Sequence, residues 1–316
     1  MSEKKLISVV TPTYNEEENV KEVYKQVKAV FAKINKYDYE HIFIDNDSTD
    51  DTVKKLKELA NKDKNVKIII NAKNFGHLRS PYYGQLQANG EAVISLVADL
   101  QDPPGMIIKF LEYWEQGYKI VIGIKPKSKE NPLMFALRKL YYRMIKSMSE
   151  TEHIKNFTGF GLYDKSFIDI LRQIDEPYPY FRGLVAQYGF NRKEIEYTQP
   201  KREKGKSNNN FYTLYDVGMQ GFVNHSKVPL RLATFIGFGV ATISLLVAVG
   251  YLIYKLIFWN SFNVGVAPLV IGLFFFSSIQ LFFIGIVGEY IGAIYTQVKD
   301  RPLVIEKERI NFDKQN

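Results

Sequence analysis

Carboxylates follow the apolar, strand-like runs of the sequence, and their spacing is typical of chemistry on phosphate groups. Asp45 ends the run "EHIFID", Asp47 follows it closely, and Asp99 comes directly after the run that begins "EAVISLVA". If these strands are parallel, the three carboxylates meet at one edge of a sheet and repel one another unless a positive group lies between them. A divalent cation that carries a phosphate ester would suit them, because such cations prefer oxygen ligands.

Other acids nearby have a structural explanation. Asp102 precedes Pro103 and Pro104, and we expect it to cap a helix there, since Pro suits the first turn and Asp accepts its free N–H groups. Asn15 and Glu18 have the spacing of a capping box at the start of the first helix. These acids therefore need no ligand to explain them.

The first part of the chain alternates strand-like and helix-like patterns, and these elements must position the carboxylates. Apolar strands that alternate with helices predict a mostly parallel sheet covered on both faces. Ligands of such sheets gather beyond the carboxyl ends of the strands. The predicted strands are "KLISVVTPT", "EHIFID", "VKIII", "EAVISLVAD" and "KIVIGIK", and the predicted helices cover Glu16–Ile34, Asp51–Lys62 and Pro103–Gln116, with a less regular stretch over 74–90.

Two long apolar runs in the last third of the chain indicate membrane-spanning helices. No residue from Leu232 to Tyr254 is charged, and after Lys255 the next charge is Glu289. A helix over the first run would be ~35 Å long, enough to cross the core of a bilayer. A buried hairpin in a soluble protein would leave too little polar surface. We therefore predict a two-helix transmembrane hairpin.

Basic residues on both sides of the hairpin predict its orientation. Lys227 and Arg231 precede the first run, Lys299 and Arg301 follow the second, and the connecting loop has no basic residue. Both termini and the domain before Arg231 are therefore expected in the cytoplasm, at the inner (plasma) membrane. The start "MSEKK" has no signal-peptide pattern, and the absence of Cys agrees with this compartment. The net charge of +8 favours membrane surface and phosphorylated substrates over nucleic acid.

The sequence also predicts amphipathic juxtamembrane helices. Residues 131–149 place Leu and Met along one side and basic residues elsewhere, which is typical of an interfacial helix. The predicted order is a cytosolic catalytic domain over 1–210, a juxtamembrane helix over 211–230, two transmembrane helices over 231–292 and a cytosolic tail over 293–316. Small residues in the second span permit a homo-oligomer.

Six motifs occur in a fixed order along the chain: "VVTPTYNEEENV", "FIDNDSTDDT", "NFGH", "ADLQDPP", "FRGLVA" and "KREKGKS". Together with the two apolar runs they resemble the polyprenyl-phosphate glycosyltransferases of glycosyltransferase family 2, over nearly the whole chain. The resemblance implies a GT-A fold, which is an α/β fold with a Rossmann-like sheet. It also implies a nucleotide-diphosphate sugar donor, Mg2+ or Mn2+, and a polyprenyl-phosphate acceptor, undecaprenyl phosphate in a bacterium.

The resemblance also implies roles for residues on the nucleotide side of the site. Pro12, Tyr14 and Glu16 are expected to line the nucleotide, and Asp45 to reach its base or ribose. Asp47 belongs to the same predicted substrate-binding set.

On the phosphate side, the resemblance implies that Asp99 and Gln101 hold the metal against the diphosphate and that Arg202 contacts phosphate. These three are the predicted catalytic residues, and Ala98 lies among them. Lys125 and Arg79 are candidates for neutralising phosphate charge, although surface cations explain them at least equally well. Arg182 is a candidate for the acceptor site, although an aromatic loop packed on the domain explains its segment about equally well. Arg182 is favoured because a buried Arg needs an anionic partner.

The chain departs from the family pattern at two positions that matter for the chemistry. Val97 stands where the family usually has an Asp of the metal site, and Gly159 aligns with an Asp proposed as catalytic base in many relatives. A lipid monophosphate has a second pKa of about 6, so it is mostly a dianion at neutral pH and needs no base to attack.

Two other functions are compatible with the sequence. A catalytically silent membrane protein of this fold, binding a nucleotide sugar or a partner, would explain Val97 and Gly159. A processive polysaccharide synthase is disfavoured, because neither Trp114 nor Trp259 follows an Arg as in the Gln-x-x-Arg-Trp motif of those enzymes.

Overall fold

The computed structural model describes residues 4–125, 154–174, 176–177, 179–188, 190–198, 228–258, 266–299 and 301–312. The chain divides into two compact units. The first contains the sheet with its helices and also the C-terminal segment, and the second contains two long helices. Arg202 and most of the predicted juxtamembrane segments, 131–149 and 211–230, lie outside the described residues.

The first unit has eight strands and six helices within the described residues. Along the chain they are β1 (Lys5–Thr13), α1 (Val20–Lys33), β2 (Tyr37–Asp45), α2 (Thr52–Lys62), β3 (Val66–Asn71), α3 (Gly76–Leu86), β4 (Ala92–Ser95), α4 (Met106–Glu115), β5 (Ile120–Ile124), β6 (Phe157–Asp164), α5 (Lys165–Gln173), α6 (Phe181–Gln187), β7 (Arg192–Glu196) and β8 (Glu306–Ile310).

The strands form one mixed sheet in the order β7-β5-β6-β4-β1-β2-β3-β8. β1 pairs in parallel with β2 and β4, β2 with β3, and β5 with β7. β6 and β8 run in the opposite direction. The predicted parallel arrangement is therefore confirmed for the five strands of the N-terminal part, and later chain segments add the two antiparallel strands.

Two hydrophobic cores lie on the two faces of the sheet, because successive strand residues point to opposite sides. Ile7 and Val9 of β1 join the core under α1, α2 and α4. Val10 of the same strand joins the core under α3, α5 and α6. Apolar residues on both faces make the central strands near-continuous hydrophobic runs, as the sequence predicts.

Three helix predictions differ from the structure. α1 begins at Val20 rather than Glu16, because the preceding residues bond to the loop after β2. α4 begins at Met106, with Gly105 as its N-cap, so the expected cap at Asp102 is wrong. α3 occupies the stretch that showed no regular pattern, since Pro81 lies inside it and polar side chains are buried on it.

The segment predicted as a cytosolic tail contributes a strand to the sheet of the first unit. β8 pairs antiparallel with β3, and Ile310 lies opposite Ile68. Its sequence "EKERI" is mostly charged, which suits an edge strand.

The second unit consists of α7 (Val228–Ile257) and α8 (Val266–Val298), which contact each other. Among the described residues, one stretch, Phe275–Gly292 of α8, is long and apolar enough to cross a membrane, and its side chains are exposed. In α7 the apolar stretch is the shorter Ala233–Ser244. The two-span hairpin remains a prediction.

Candidate functional site

The loops after β1 and β2, residues 13–17 and 45–52, are joined by hydrogen bonds, and we call them the nucleotide-side loops. Three consecutive backbone amides of the first loop donate to side chains of the second. The pairs are Asn15 N to Ser48 Oγ (2.9 Å), Glu16 N to Thr52 Oγ1 (2.9 Å) and Glu17 N to Asp50 Oδ2 (3.2 Å). The predicted capping box is wrong, because the Asn15 side chain accepts a hydrogen bond from Thr49 N instead.

Asp45 ends β2 in the middle of these loops and is fully buried. Its carboxylate accepts hydrogen bonds from Thr13 Oγ1 (3.2 Å), Ser48 N (2.9 Å) and Ser48 Oγ (2.5 Å). Burial raises the pKa of Asp45, and these hydrogen bonds act in the opposite direction. A carboxylate has about four acceptor positions, and these bonds occupy three of them.

Asn46 ties β2 to the loop that precedes α3, a role that sequence reasoning missed. Its Nδ2 donates to Asn74 Oδ1 (2.9 Å) and Gly76 O (3.2 Å). Its Oδ1 accepts from Phe75 N (2.9 Å) and Asn71 Nδ2 (3.0 Å). A buried amide with four partners is satisfied completely, which fixes the 74–76 loop beside Asp45.

The other predicted nucleotide-binding residues lie at the same edge of the sheet. Pro12 is half-buried near the end of β1, and Tyr14 just beyond it is 38% exposed. Glu16 is half-buried and accepts a hydrogen bond from Asn19 Nδ2. Asp47 has a positive φ of 68°, in the left-handed region that favours glycine.

Asp99 and Gln101 lie in the loop after β4, which ends at Ser95, earlier than predicted. Both are half-buried, and Asp99 Oδ1 accepts a hydrogen bond from Gln101 N at 3.1 Å. Ala98 is buried, whereas Val97 is 37% exposed. The family's missing carboxylate would therefore have faced solvent at this loop.

The described residues contain no cluster of three or more His, Cys, Asp or Glu side chains that could hold a metal ion. Asp99 is a hard oxygen ligand, and no described residue bonds to its Oδ2. This donor set fits Mg2+ or Mn2+ if substrate phosphates and water complete the shell, which is how Mg2+ is usually bound with nucleotides.

Asp102 is buried beside this loop and accepts a hydrogen bond from the Tyr197 hydroxyl at 2.5 Å. Burial raises the pKa of Asp102, while Tyr197 and Lys125 lower it. The Tyr197 ring reaches Asp102 across Gly123 of β5. A Cβ atom at Gly123 would lie 2.9 Å from that ring, so the strand needs a glycine there.

Lys125 and Arg182 complete what we call the charged cluster, which consists of Asp99, Asp102, Lys125 and Arg182. Lys125 follows β5 and interacts electrostatically with the other three side chains, and burial lowers its pKa. Arg182 is the second residue of α6, and its Nη1 lies 3.5 Å from Phe157 O. In the described part of the chain, neither cation forms an ion pair.

A cavity of ≈ 440 Å³ lies at the opposite edge of the sheet. Its lining includes Trp114 and Asp164. Two ion pairs join lining residues: Lys119 lies 3.1 Å from Asp164, and Lys165 lies 3.0 Å from Glu91. Lys5 lies over the ring of Trp114. The predicted site residues lie at the carboxyl edge instead, so we place the candidate site there.

A Rossmann-like sheet with acids and cations gathered beyond the carboxyl ends of its strands defines a class of nucleotide-dependent α/β enzymes. The family model Glycosyl transferase family 2 matches residues 8–172. The chain belongs to this family, it is a glycosyltransferase, and the GT-A fold implied by its motifs is confirmed.

Relatives of similar length match almost end to end. An uncharacterized glycosyltransferase of Bacillus subtilis, YkcC, is 32% identical over 97% of this chain and 94% of its own. The SfII prophage-derived bactoprenol glucosyl transferase of Shigella flexneri is 32% identical over 96% of this chain and 97% of its own. Among solved structures, a Mycobacterium tuberculosis glucosyl-3-phosphoglycerate synthase, in complex with Mn2+, UDP and phosphoglyceric acid, is 15% identical. The alignment covers 69% of this chain and 76% of the chain in that structure, with a TM-score of 0.48.

Proposed function

We propose that the protein transfers one sugar, with inversion, from a nucleotide-diphosphate sugar to polyprenyl phosphate at the cytoplasmic leaflet of the plasma membrane. Undecaprenyl phosphate is the proposed acceptor, and a UDP- or GDP-sugar is the proposed donor. The charged cluster is the observation that carries this proposal, because acids that suit a metal diphosphate lie beside cations that suit a second phosphate. The end-to-end similarity to a bactoprenol glucosyl transferase supports the lipid acceptor.

The proposed reaction needs positioning more than proton transfer. An oxygen of the acceptor phosphate forms a bond to the anomeric carbon of the sugar. The bond from that carbon to the donor diphosphate breaks, and the nucleoside diphosphate leaves with the electron pair. Lys125 and Arg182 would bring the two polyanions together by neutralising charge.

Gly159 supports a mechanism without a carboxylate base at this position. Its φ of +104° lies in the region that favours glycine, so a side chain there would be strained. An ionised phosphate is already nucleophilic, and the site has no need to remove a proton from it.

Asp99 and Gln101 would hold Mg2+ or Mn2+, which would stabilise the charge of the leaving diphosphate. On the nucleotide side, Pro12, Tyr14, Glu16, Asp45 and Asp47 would contact the nucleoside. Ala98 would lie against the diphosphate, and Arg202 would contact phosphate.

The path of the chain supports two membrane crossings. β7 and β8 belong to one sheet, and α7 and α8 lie between them in the sequence. Both ends of the helix pair therefore join the same unit, so the chain must cross a bilayer an even number of times or not at all. Together with the flanking basic residues, this favours a hairpin with cytoplasmic termini.

The test uses full-length protein in detergent with undecaprenyl phosphate, Mg2+ or Mn2+, and a panel of UDP- and GDP-sugars. We expect one lipid-linked monosaccharide, detected by mass spectrometry. Asp99→Asn should abolish product, and Asp38→Asn, which changes an exposed Asp at the other end of β2, should not.

A silent nucleotide-sugar-binding protein is the second candidate, and exposed Val97 in place of an acid favours it. Nucleotide binding by calorimetry without product from any donor would establish that alternative. Full activity of Asp99→Asn would contradict the proposed metal site.

A further inference from the structure

One face of α3 is attached to the C-terminal segment that follows the long helices. We call residues 301–312 the strap. Three residues of α3 and its C-cap form hydrogen bonds with the strap. They are spaced four apart and therefore lie on one side of the helix. The bonds are Arg79 Nη2 to Pro302 O (2.9 Å), Tyr83 OH to Glu306 Oε1 (2.9 Å) and Arg309 Nη2 to Gln87 Oε1 (2.7 Å).

The strap is itself fixed to the sheet. β8 pairs along β3, and Ala72 N donates to Ile305 O at 2.8 Å. Asn311 Nδ2 donates to Ala60 O and Val66 O, both at 2.8 Å. Val304 is buried, so the segment is part of the folded unit along most of its length.

The other end of α3 leads into the candidate site. Asn46 binds the 74–76 loop, which precedes α3, and holds it beside Asp45. Arg79 lies between the two ends, with its guanidinium 5.9 Å from the ring of Phe75. Its bond to Pro302 makes Arg79 a link between α3 and the strap.

α3 depends on such contacts because its sequence is a poor helix former. It contains Gly76, Pro81 and Gly84 within 11 residues. Pro removes a backbone hydrogen bond inside a helix, and Gly is the next least favourable residue there. Tertiary contacts must therefore hold α3. Tyr82 and Gly84 pack on the core beneath it, and the strap and Asn46 add hydrogen bonds along one side and at its start.

We propose that the strap is a positioning element for the donor site. It holds α3 and, through α3, the 74–76 loop. Donor binding therefore depends on residues that follow both long helices in the sequence. This inference rests on the proposed function. Glu306 is its central residue, since it accepts from Tyr83 and pairs with Arg309.

The strand offers a matched control. Glu308 lies two residues further along β8 and pairs with Lys57 of α2, an exposed pair that does not touch α3. We would compare Glu306→Ala and Glu308→Ala in the full-length protein. The first readout is hydrogen–deuterium exchange of the 74–86 backbone, and the second is KM for the donor together with kcat.

We expect faster exchange over 74–86 in Glu306→Ala but not in Glu308→Ala. The donor KM should rise about five-fold in Glu306→Ala, the usual effect of one hydrogen bond, while kcat changes less. Glu306→Gln, which keeps a carbonyl acceptor for Tyr83, should restore most of the donor affinity.

Equal exchange over 74–86 in the two alanine variants would overturn the inference, as would an unchanged donor KM in an active Glu306→Ala enzyme. The exchange comparison needs no turnover. If no donor gives product, the proposed function fails, and exchange still decides whether the strap holds α3.

Discussion

The nucleotide-side loops and the charged cluster lie at the same edge of the sheet but are held in different ways. In the loops, backbone amides and buried side chains bond to one another, and Asp45 and Asn46 each have three or four partners. In the cluster, Asp102 is held by Tyr197, whereas Lys125 and Arg182 have no described ion-pair partner.

This difference separates recognition from chemistry. A loop whose polar groups are satisfied internally presents a fixed shape, which suits binding of a nucleoside that does not change during the reaction. Cations held near acids but not paired with them are ready to interact with charge that arrives with the substrates. Substitutions in the cluster should therefore affect turnover more than stability, whereas substitutions that remove the hydrogen bonds of the loops should lower stability as well.

After the loss of Asp99, the largest effect is expected at the cations of the charged cluster. Lys125→Ala and Arg182→Ala should each lower kcat/KM for the lipid acceptor by about 100-fold, the usual loss when one charged stabilising group is removed. Lys109→Ala, which changes an exposed lysine on α4, is the control and should be nearly silent. Turnover with varied undecaprenyl phosphate measures this, and wild-type acceptor kinetics in both variants would remove the cluster from the reaction.

Asn46→Ala is the corresponding test of the nucleotide-side loops. It leaves the amides and carbonyls of the 74–76 loop without partners, so the free energy of unfolding should fall by about 1–3 kcal/mol. The donor KM should rise because the loop loses its position. Urea unfolding followed by circular dichroism gives the first quantity. A variant as stable as wild type would mean that other contacts hold the loop.

The strands of the N-terminal part and the placement of Asp45 and Asp99 were predictable from the sequence, because apolar runs that end in acids are local signals. α3 was not, since its buried side carries Ser80 and Gln85 and has no apolar period. β8 was not either, because it is mostly charged and pairs with a strand more than 200 residues earlier. The Tyr197–Asp102 hydrogen bond depends on such long-range pairing, and no local pattern specifies it.

Tyr197→Phe should have a smaller effect than the cation substitutions. It removes the Tyr197 hydroxyl, which donates a hydrogen bond to buried Asp102, and keeps the ring that packs on Phe160. Loss of one hydrogen bond to a charged group costs about 1.5–3 kcal/mol at most, and the nearby Lys125 compensates for part of it. We expect a several-fold higher Mn2+ requirement with little change in melting temperature. Metal titration of turnover checks this, and an unchanged metal requirement would show that the loop after β4 is held by other contacts.

Asp45→Asn should change stability least of these substitutions. It therefore tests whether a residue of the nucleotide-side loops can affect donor binding without lowering stability. Burial raises the pKa of Asp45 above its unfolded value of about 3.9, so the folded protein binds the proton more tightly than the unfolded chain. The contribution of Asp45 to stability is then largest at low pH and falls as pH rises from about 4 through the folded pKa. Asn cannot ionise, so the variant should lack this decline and be as stable as wild type, or more so, at pH 7. Its donor KM should nevertheless rise, because Asn replaces the negative carboxylate that is proposed to contact the nucleoside with a neutral amide. Urea unfolding midpoints between pH 4 and 7 and donor kinetics measure the two effects separately. The same pH dependence of stability in the variant as in wild type would contradict the effect of Asp45 on stability. An unchanged donor KM would contradict its role in donor binding.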